Sequence, residues 1–222
     1  VAAQILEKKG IYAATHVRRI ADVEDAPFDK MNIPRELAES LAAMRLPLLD
    51  QSKAADMEQR VREAAADHDS VGGVVECAIC GLPVGLGSPI FGAAESVISS
   101  LLMAIPAVKG ISFGEGFGFA GLRGSEANDA YVLKDGKIST ATNHNGGILG
   151  GITNGSPVIF EVVVKPTASI SKPQQTVNLK TMEEETITVK GRHDACIVPR
   201  AAVAIEAAAY IAALDLMIER GW

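Results

Sequence analysis

Two short runs hold the residue types with the most chemistry to offer. Lys165, Pro166, Thr167, Ala168 and Ser169 put a cation and two hydroxyls at the exit of an apolar, β-branched run, and Pro166 stiffens the backbone there. Further on, GRHDACIVPR (191–200) sets Arg192, His193 and Asp194 in succession. A guanidinium grips phosphate or carboxylate through two parallel N–H donors, and a carboxylate two residues away can relay a proton. With glycine backbone these residues suggest an anion site built on Lys165 and Arg192. The plainer alternative for the second run is a surface ion pair beside a turn. A third run, NHNGGILGGITNG (143–155), holds five glycines in thirteen positions. Such density serves sharp bends or close approach to a ligand.

Several other patterns are incomplete. Gly116–Gly121 spells G-x-G-x-x-G after a strand-like run, but LRGSEANDAYVLKDG follows. That reads as loop and hairpin rather than the helix whose N-terminus would face a pyrophosphate. Gly150–Ser156 spells G-x-x-x-x-G-S without the lysine of a P-loop, and Pro157 starts a strand where a helix should begin. Cys77 and Cys80 sit three apart on a strand, so their sulfurs diverge. Cys196 stands alone, and the cysteines read as small buried apolar residues. The histidines at 16, 68, 144 and 193 form no H-E-x-x-H, and no serine sits in a G-x-S-x-G elbow. No metal site is expected. Glu206 marks the wetter stripe of an otherwise apolar helix.

The elements that must position these residues alternate without a regular βαβ rhythm. Strands are expected at IYAATHVRRI, VGGVVECAIC, VKGISF, PVIFEVVVKP and EEETITVKG, and a hairpin turn at Asp135-Gly136. Helical spacing runs through RELAESLAAMRLP, Asp50–Ala66 and FGAAESVISSLLMAI, the last closed by Pro106. Pro199 takes the first position of a final helix that is apolar nearly all round, hence buried in a core or a subunit contact. The opening VAAQILEKKG reads as the last turns of a helix, as though the start of the chain were absent. With no repeat and no linker, residues 1–222 are taken as a single α+β domain of layered antiparallel or mixed sheets with helices.

Composition narrows the function classes. A net charge of −6 and 5% aromatics disfavour a nucleic-acid surface. No run is read as reaching the roughly 18 apolar residues of a membrane span. Three cysteines fit a reducing, cytoplasmic setting better than a disulfide framework.

The ordered strings GLPVGLGSPIF, MAIPAVKG, GFGFAGLRGSEAND, NHNGGILGGITNG, VVVKPTASIS and KGRHDACIVPRA closely resemble chorismate synthase along the whole chain. The resemblance implies a β-α-β sandwich, a homotetramer, and phosphate elimination from 5-enolpyruvylshikimate 3-phosphate with reduced FMN. It implies flavin contacts for Pro106, Ala107, Gly150, Lys165, Pro166, Thr167, Ala168, Ser169 and Arg192, and a proton-handling role for Asp194. Ala195 stands where the family has proline, which should loosen that turn slightly. The family's G-x-S-H-G motif, its second catalytic histidine and its Arg-rich R-x-S-A-R segment have no match here. The chain therefore resembles the C-terminal portion of a longer one, inactive alone, and alternatively a catalytically empty flavin-binding or oligomerisation scaffold.

Overall fold

The computed structural model describes residues 1–134 and 136–222. In chain order, α1 (Ala2–Glu7) leads to β1 (Tyr12–Ile20), β2 (Val23–Glu24), α2 (Arg35–Ala42), α3 (Ala54–Ala66) and β3 (Gly73–Cys80). Then come α4 (Ala94–Met103), β4 (Val108–Phe113), the four-residue α5 (Gly124–Ala127), β5 (Tyr131–Lys134) and β6 (Lys137–Thr140). The chain ends through β7 (Ile148–Leu149), β8 (Ile152–Thr153), β9 (Val158–Val164), β10 (Gln174–Asn178), β11 (Glu183–Ile187) and α6 (Val198–Glu219). The expected turn residue Asp135 lies outside the described residues.

Five strands make one antiparallel sheet in the order β2-β1-β3-β9-β4, and three two-stranded ribbons surround it. Period-two alternation gives the sheet two buried faces. Val75, Cys77 and Ile79 of β3 point into a core shared with α1, α4 and α6, whereas Ala78 and Cys80 point to a smaller cluster beneath α2 with Phe28, Ile33 and Leu41. The two cysteines thus belong to opposite faces, as their spacing requires. Burial pushes the Cys80 thiol up to about 11 and raises Cys77 further, so neither is a ready nucleophile.

The last helix, α6, presents Val198, Ala202, Ile205, Ala209, Ala213 and Leu216 to the sheet at helical spacing. An 18-residue window within it has a mean hydropathy of 1.8, enough by length and composition to cross a membrane. This corrects the sequence expectation that no run reaches that threshold. Packing of one stripe against the sheet makes it a core helix. Its other face leaves Val203, Ile211 and Ile218 exposed.

One polar row interrupts the face of the sheet beneath α2. His16, Glu76 and Glu161 stand opposite one another on β1, β3 and β9. The His16 ring is fully buried between Asp25 Oδ2 at 3.1 Å and Glu76 Oε2 at 2.7 Å. Asp25 also accepts the amides of Ala26, Leu49 and Asp50, so this cluster ties the 25–50 segment to the sheet. Burial alone would lower the imidazole, but its hydrogen bonds to both carboxylates outweigh that and hold His16 above its ordinary value.

A group raised on folding stabilises fully below its unfolded value and loses that contribution as pH climbs through its folded one. Stability of the native chain should therefore decline as pH rises from about 6.5 through the raised His16 value. His16→Gln leaves two carboxylates without a buried cation. It should cost about 3–5 kcal/mol and flatten the His16 part of that decline, read as urea midpoints against pH. A second prediction concerns the end of α3, where His68 takes a left-handed φ of 55°. Its amide reaches Ala65 O at 3.2 Å and the Asp69 amide reaches Ala64 O at 2.9 Å, a Schellman cap with histidine where glycine is usual. His68→Gly should raise the calorimetric Tm by about 2–4 °C; a fall would show that the imidazole itself is stabilising.

Candidate functional site

The predicted residues collect mostly at one margin of the sheet, where β9 ends and β3 and β4 begin. Val164 pairs with both Gly73 and Val108 there. Directly beyond, the Lys165 amide donates to Ala107 O at 2.9 Å, which joins the two predicted runs. Pro106 and Ala107 form the turn between α4 and β4, closed by Val108 N to Ile105 O at 3.2 Å, and Ala107 has a φ of +73°. That is the pattern of a type II turn, whose third residue is ordinarily glycine. A non-glycine residue held there stores strain of the kind found at ligand clamps.

Within the loop leaving β9, Lys165 is half-buried while Pro166, Ala168 and Ser169 are exposed. Thr167 Oγ1 is buried and has no hydrogen-bond partner among the described residues. Such an atom costs about 1–3 kcal/mol unless something completes it, so it suits a ligand contact. Ser70 Oγ donates to Thr167 O at 2.7 Å, and Val71 N donates to Ala195 O at 2.8 Å. Residues 70 and 71 thereby connect the Lys165–Ser169 loop with the Arg192–Asp194 run. Arg192 is exposed, and the His193 ring lies 3.1 Å from Val189 O. Asp194, half exposed, accepts from Arg200 rather than from Arg192. The ion pair weighed from sequence therefore exists, with a different arginine. A cleft of about 130 Å³ lies alongside, lined by His68, Asp69, Ser171, Gly191 and His193 among others.

Gly150 is elsewhere. Leu149 pairs with Ile152, and Gly150 and Gly151 turn between them at φ +60° and +84°. Positive φ at both central residues is the requirement of a type I′ hairpin. Gly151 O accepts from Ala94 N at the start of α4, while Pro106 follows the helix end. Ten helical residues, about 15 Å of rise, separate Gly150 from the other predicted contacts.

The rest of the glycine-rich run is held by its own side chains. Asn143 Nδ2 donates to Lys30 O and Pro157 O, and Gly147 N donates to Asn143 Oδ1. Asp129, its side chain fully buried, accepts from Thr142, Asn145 and the amide of His144, and lies 3.3 Å from His144 Nδ1. Burial would raise Asp129; these bonds outweigh it and hold the carboxyl below its usual range. The G-x-G-x-x-G run forms a short 3₁₀ turn, Gly116–Gly121, and α5 beyond it is too short to carry a pyrophosphate site.

Sequence reasoning missed Ser70, Asp129 and the His16 cluster. A histidine and a glutamate inside the apolar strand runs AATHVRRI and VVECAIC were the available signal for the last of these. Larger clefts exist, including one of about 440 Å³ lined by Ile20, Leu46, Val61, Arg45, Arg62 and Cys196. Both of its arginines pair with Glu58, whereas the sheet margin combines a strained residue, an unpaired buried hydroxyl and two cations. Among the described residues, no three His, Cys, Asp or Glu side chains group as metal ligands.

Comparison with known proteins agrees on one family. The family model described as chorismate synthase matches residues 1–218. Chorismate synthase of Thermococcus kodakarensis is 43% identical over 222 residues, covering 100% of this chain and 60% of that protein. The Chitinophaga pinensis chorismate synthase is 53% identical over 163 residues, 73% of this chain and 48% of the relative. A crystal structure of chorismate synthase superposes with a TM-score of 0.81 at 26% identity, covering 99% of this chain and 60% of that one. The chain thus spans about 60% of the length of the relatives it matches end to end. Shared sequence over nearly every residue and a shared α+β architecture lead to one conclusion: the chain belongs to the chorismate synthase family.

Proposed function

We propose that this chain is the C-terminal part of a chorismate synthase and contributes one side of its flavin site. The whole enzyme would eliminate phosphate from 5-enolpyruvylshikimate 3-phosphate to give chorismate, working as a cytoplasmic homotetramer. The observation that carries this reading is the convergence of Ala107, Lys165–Ser169 and Arg192–Asp194 on one sheet margin, with Thr167 Oγ1 buried and unpartnered there. Those residues fit FMN: two cations for its anionic parts, a hydroxyl with a free bond, and a backbone turn open to a flat ring.

When bound, reduced FMN supplies electron density to the substrate as the bond to phosphate breaks, with no net redox change. The chain's own part is positioning and charge. Lys165 and Arg192 hold the anion, with Arg192 offering a planar fork of donors. Thr167 fixes orientation through Oγ1. Asp194, kept in place by Arg200, handles a proton beside the bound ring. Gly150, about 15 Å away along α4, would meet the flavin only as part of an assembled site. The exposed apolar stripe Val203, Ile211 and Ile218 on α6 supports an assembled protein, since it offers surface for further chain or for other subunits.

The 222 residues alone are expected to bind FMN weakly and to turn over no substrate, behaving as a scaffold. Fluorescence titration with FMN and a chorismate assay measure this; chorismate formation by the sequence-verified 222-residue chain would refute it. In an enzyme of full family length, Asp194→Asn should lower kcat about 100-fold or more with FMN affinity nearly unchanged. Equal losses in both would reduce Asp194 to a structural role.

A further inference from the structure

The turn that closes α3 touches both loops of the sheet-margin site. Its left-handed residue, His68, accepts the Lys172 amide on its carbonyl at 3.1 Å. Two residues later Ser70 Oγ donates to Thr167 O at 2.7 Å, a contact that bridges 97 positions of sequence. Next, Val71 N donates to Ala195 O at 2.8 Å. Lys172 Nζ returns to this turn, 3.2 Å from Asp69 and also on Asp67. The approach is as close as backbone permits. A Cβ on Gly72 would come 2.5 Å from Val164 O and 2.9 Å from Pro166 Cδ.

Few of these contacts bury apolar area; their effect is to orient. The peptide carbonyl of Thr167 is fixed by Ser70, and the same residue carries the buried Oγ1 that has no partner. Fixing the carbonyl restrains the backbone of Thr167 and so the Cα–Cβ bond from which Oγ1 projects, and the β-branched side chain is itself stiff at χ1. The amide bond at Val71 does the same for Ala195, one residue past Asp194. The strained φ of His68 is what turns the chain from the helix end toward both loops.

We propose that the 67–72 turn is the positioning element of the flavin half-site, with Ser70 as the residue that aims Thr167. This rests on the flavin reading above, and the experiment separates the two. Amide hydrogen exchange and FMN titration are run on the 222-residue chain as wild type, Ser70→Ala and Ser70→Thr. Ser70→Ala should speed exchange in residues 166–172, leave β3 and α6 unchanged, and raise the FMN dissociation constant about three- to tenfold. Ser70→Thr, which keeps the hydroxyl, should restore both.

Unchanged exchange at 166–172 in Ser70→Ala would overturn the proposal. Faster exchange with unaltered FMN affinity would overturn it too, because the loop would then be held without serving the ligand. Faster exchange everywhere, β3 and α6 included, would make Ser70 a global stability residue and also count against it. Absence of FMN binding by the wild type would remove the flavin reading itself. In that case altered exchange in Ser70→Ala would still report the clamp on the loop.

Discussion

The site depends on where the β3–β9 ladder stops. Gly73 lies opposite Val164, and Val164 in turn faces Val108. Because three strands reach their margin at the same level, the turns beyond them are forced together: the α3 cap before β3, the Pro106–Ala107 turn before β4, and Lys165–Ser169 after β9. A slip of one residue would flip every β9 side chain to the other face. It would carry Phe160, 1% exposed and packed on Phe113 with ring centroids 5.6 Å apart, out of the core. Core packing and site geometry are thus the same constraint.

Charged and polar groups differ in how fully they are paired. Two interior clusters are saturated: His16 sits between two carboxylates, and Asp129 accepts from amides, an asparagine and a hydroxyl. Groups so satisfied have nothing left for a ligand, and removing a partner would strand a buried charge. The sheet margin has groups left over. Lys165 and Arg192 make no ion pairs among the described residues, and Thr167 Oγ1 makes no hydrogen bond. The proposed flavin site would draw on these leftover groups, in a chain whose net charge of −6 gives an anion little help elsewhere.

Much of this was legible from residue order. Alternating apolar runs marked β1, β3, β4 and β9, and Pro199 marked the first turn of α6, one residue inside the observed start. The strands β10 and β7–β8 were less visible, because polar QQTVN and two-residue ladders carry little periodicity. The KPTAS and RHD runs announced cations and hydroxyls but not their convergence, which depends on the β9 register, a long-range property. Gly150 illustrates the limit most clearly. Its glycine pattern signalled a bend, and the bend exists as a hairpin turn, but sequence held no information on its distance from Ala107. Ser70 was invisible because a lone serine two residues ahead of a glycine pair has no pattern of its own; only the approach of Thr167 gives it a task.

The most direct measurement is a crystal structure of the chain grown with FMN. The account predicts the flavin at the sheet margin, with its ring over the Ala107 turn and within hydrogen-bonding reach of Thr167 Oγ1, and with Lys165 or Arg192 on its anionic part. A flavin seated in the cleft beside Arg45 and Arg62, or on the β5–β6 ribbon, with the sheet margin empty, would contradict it.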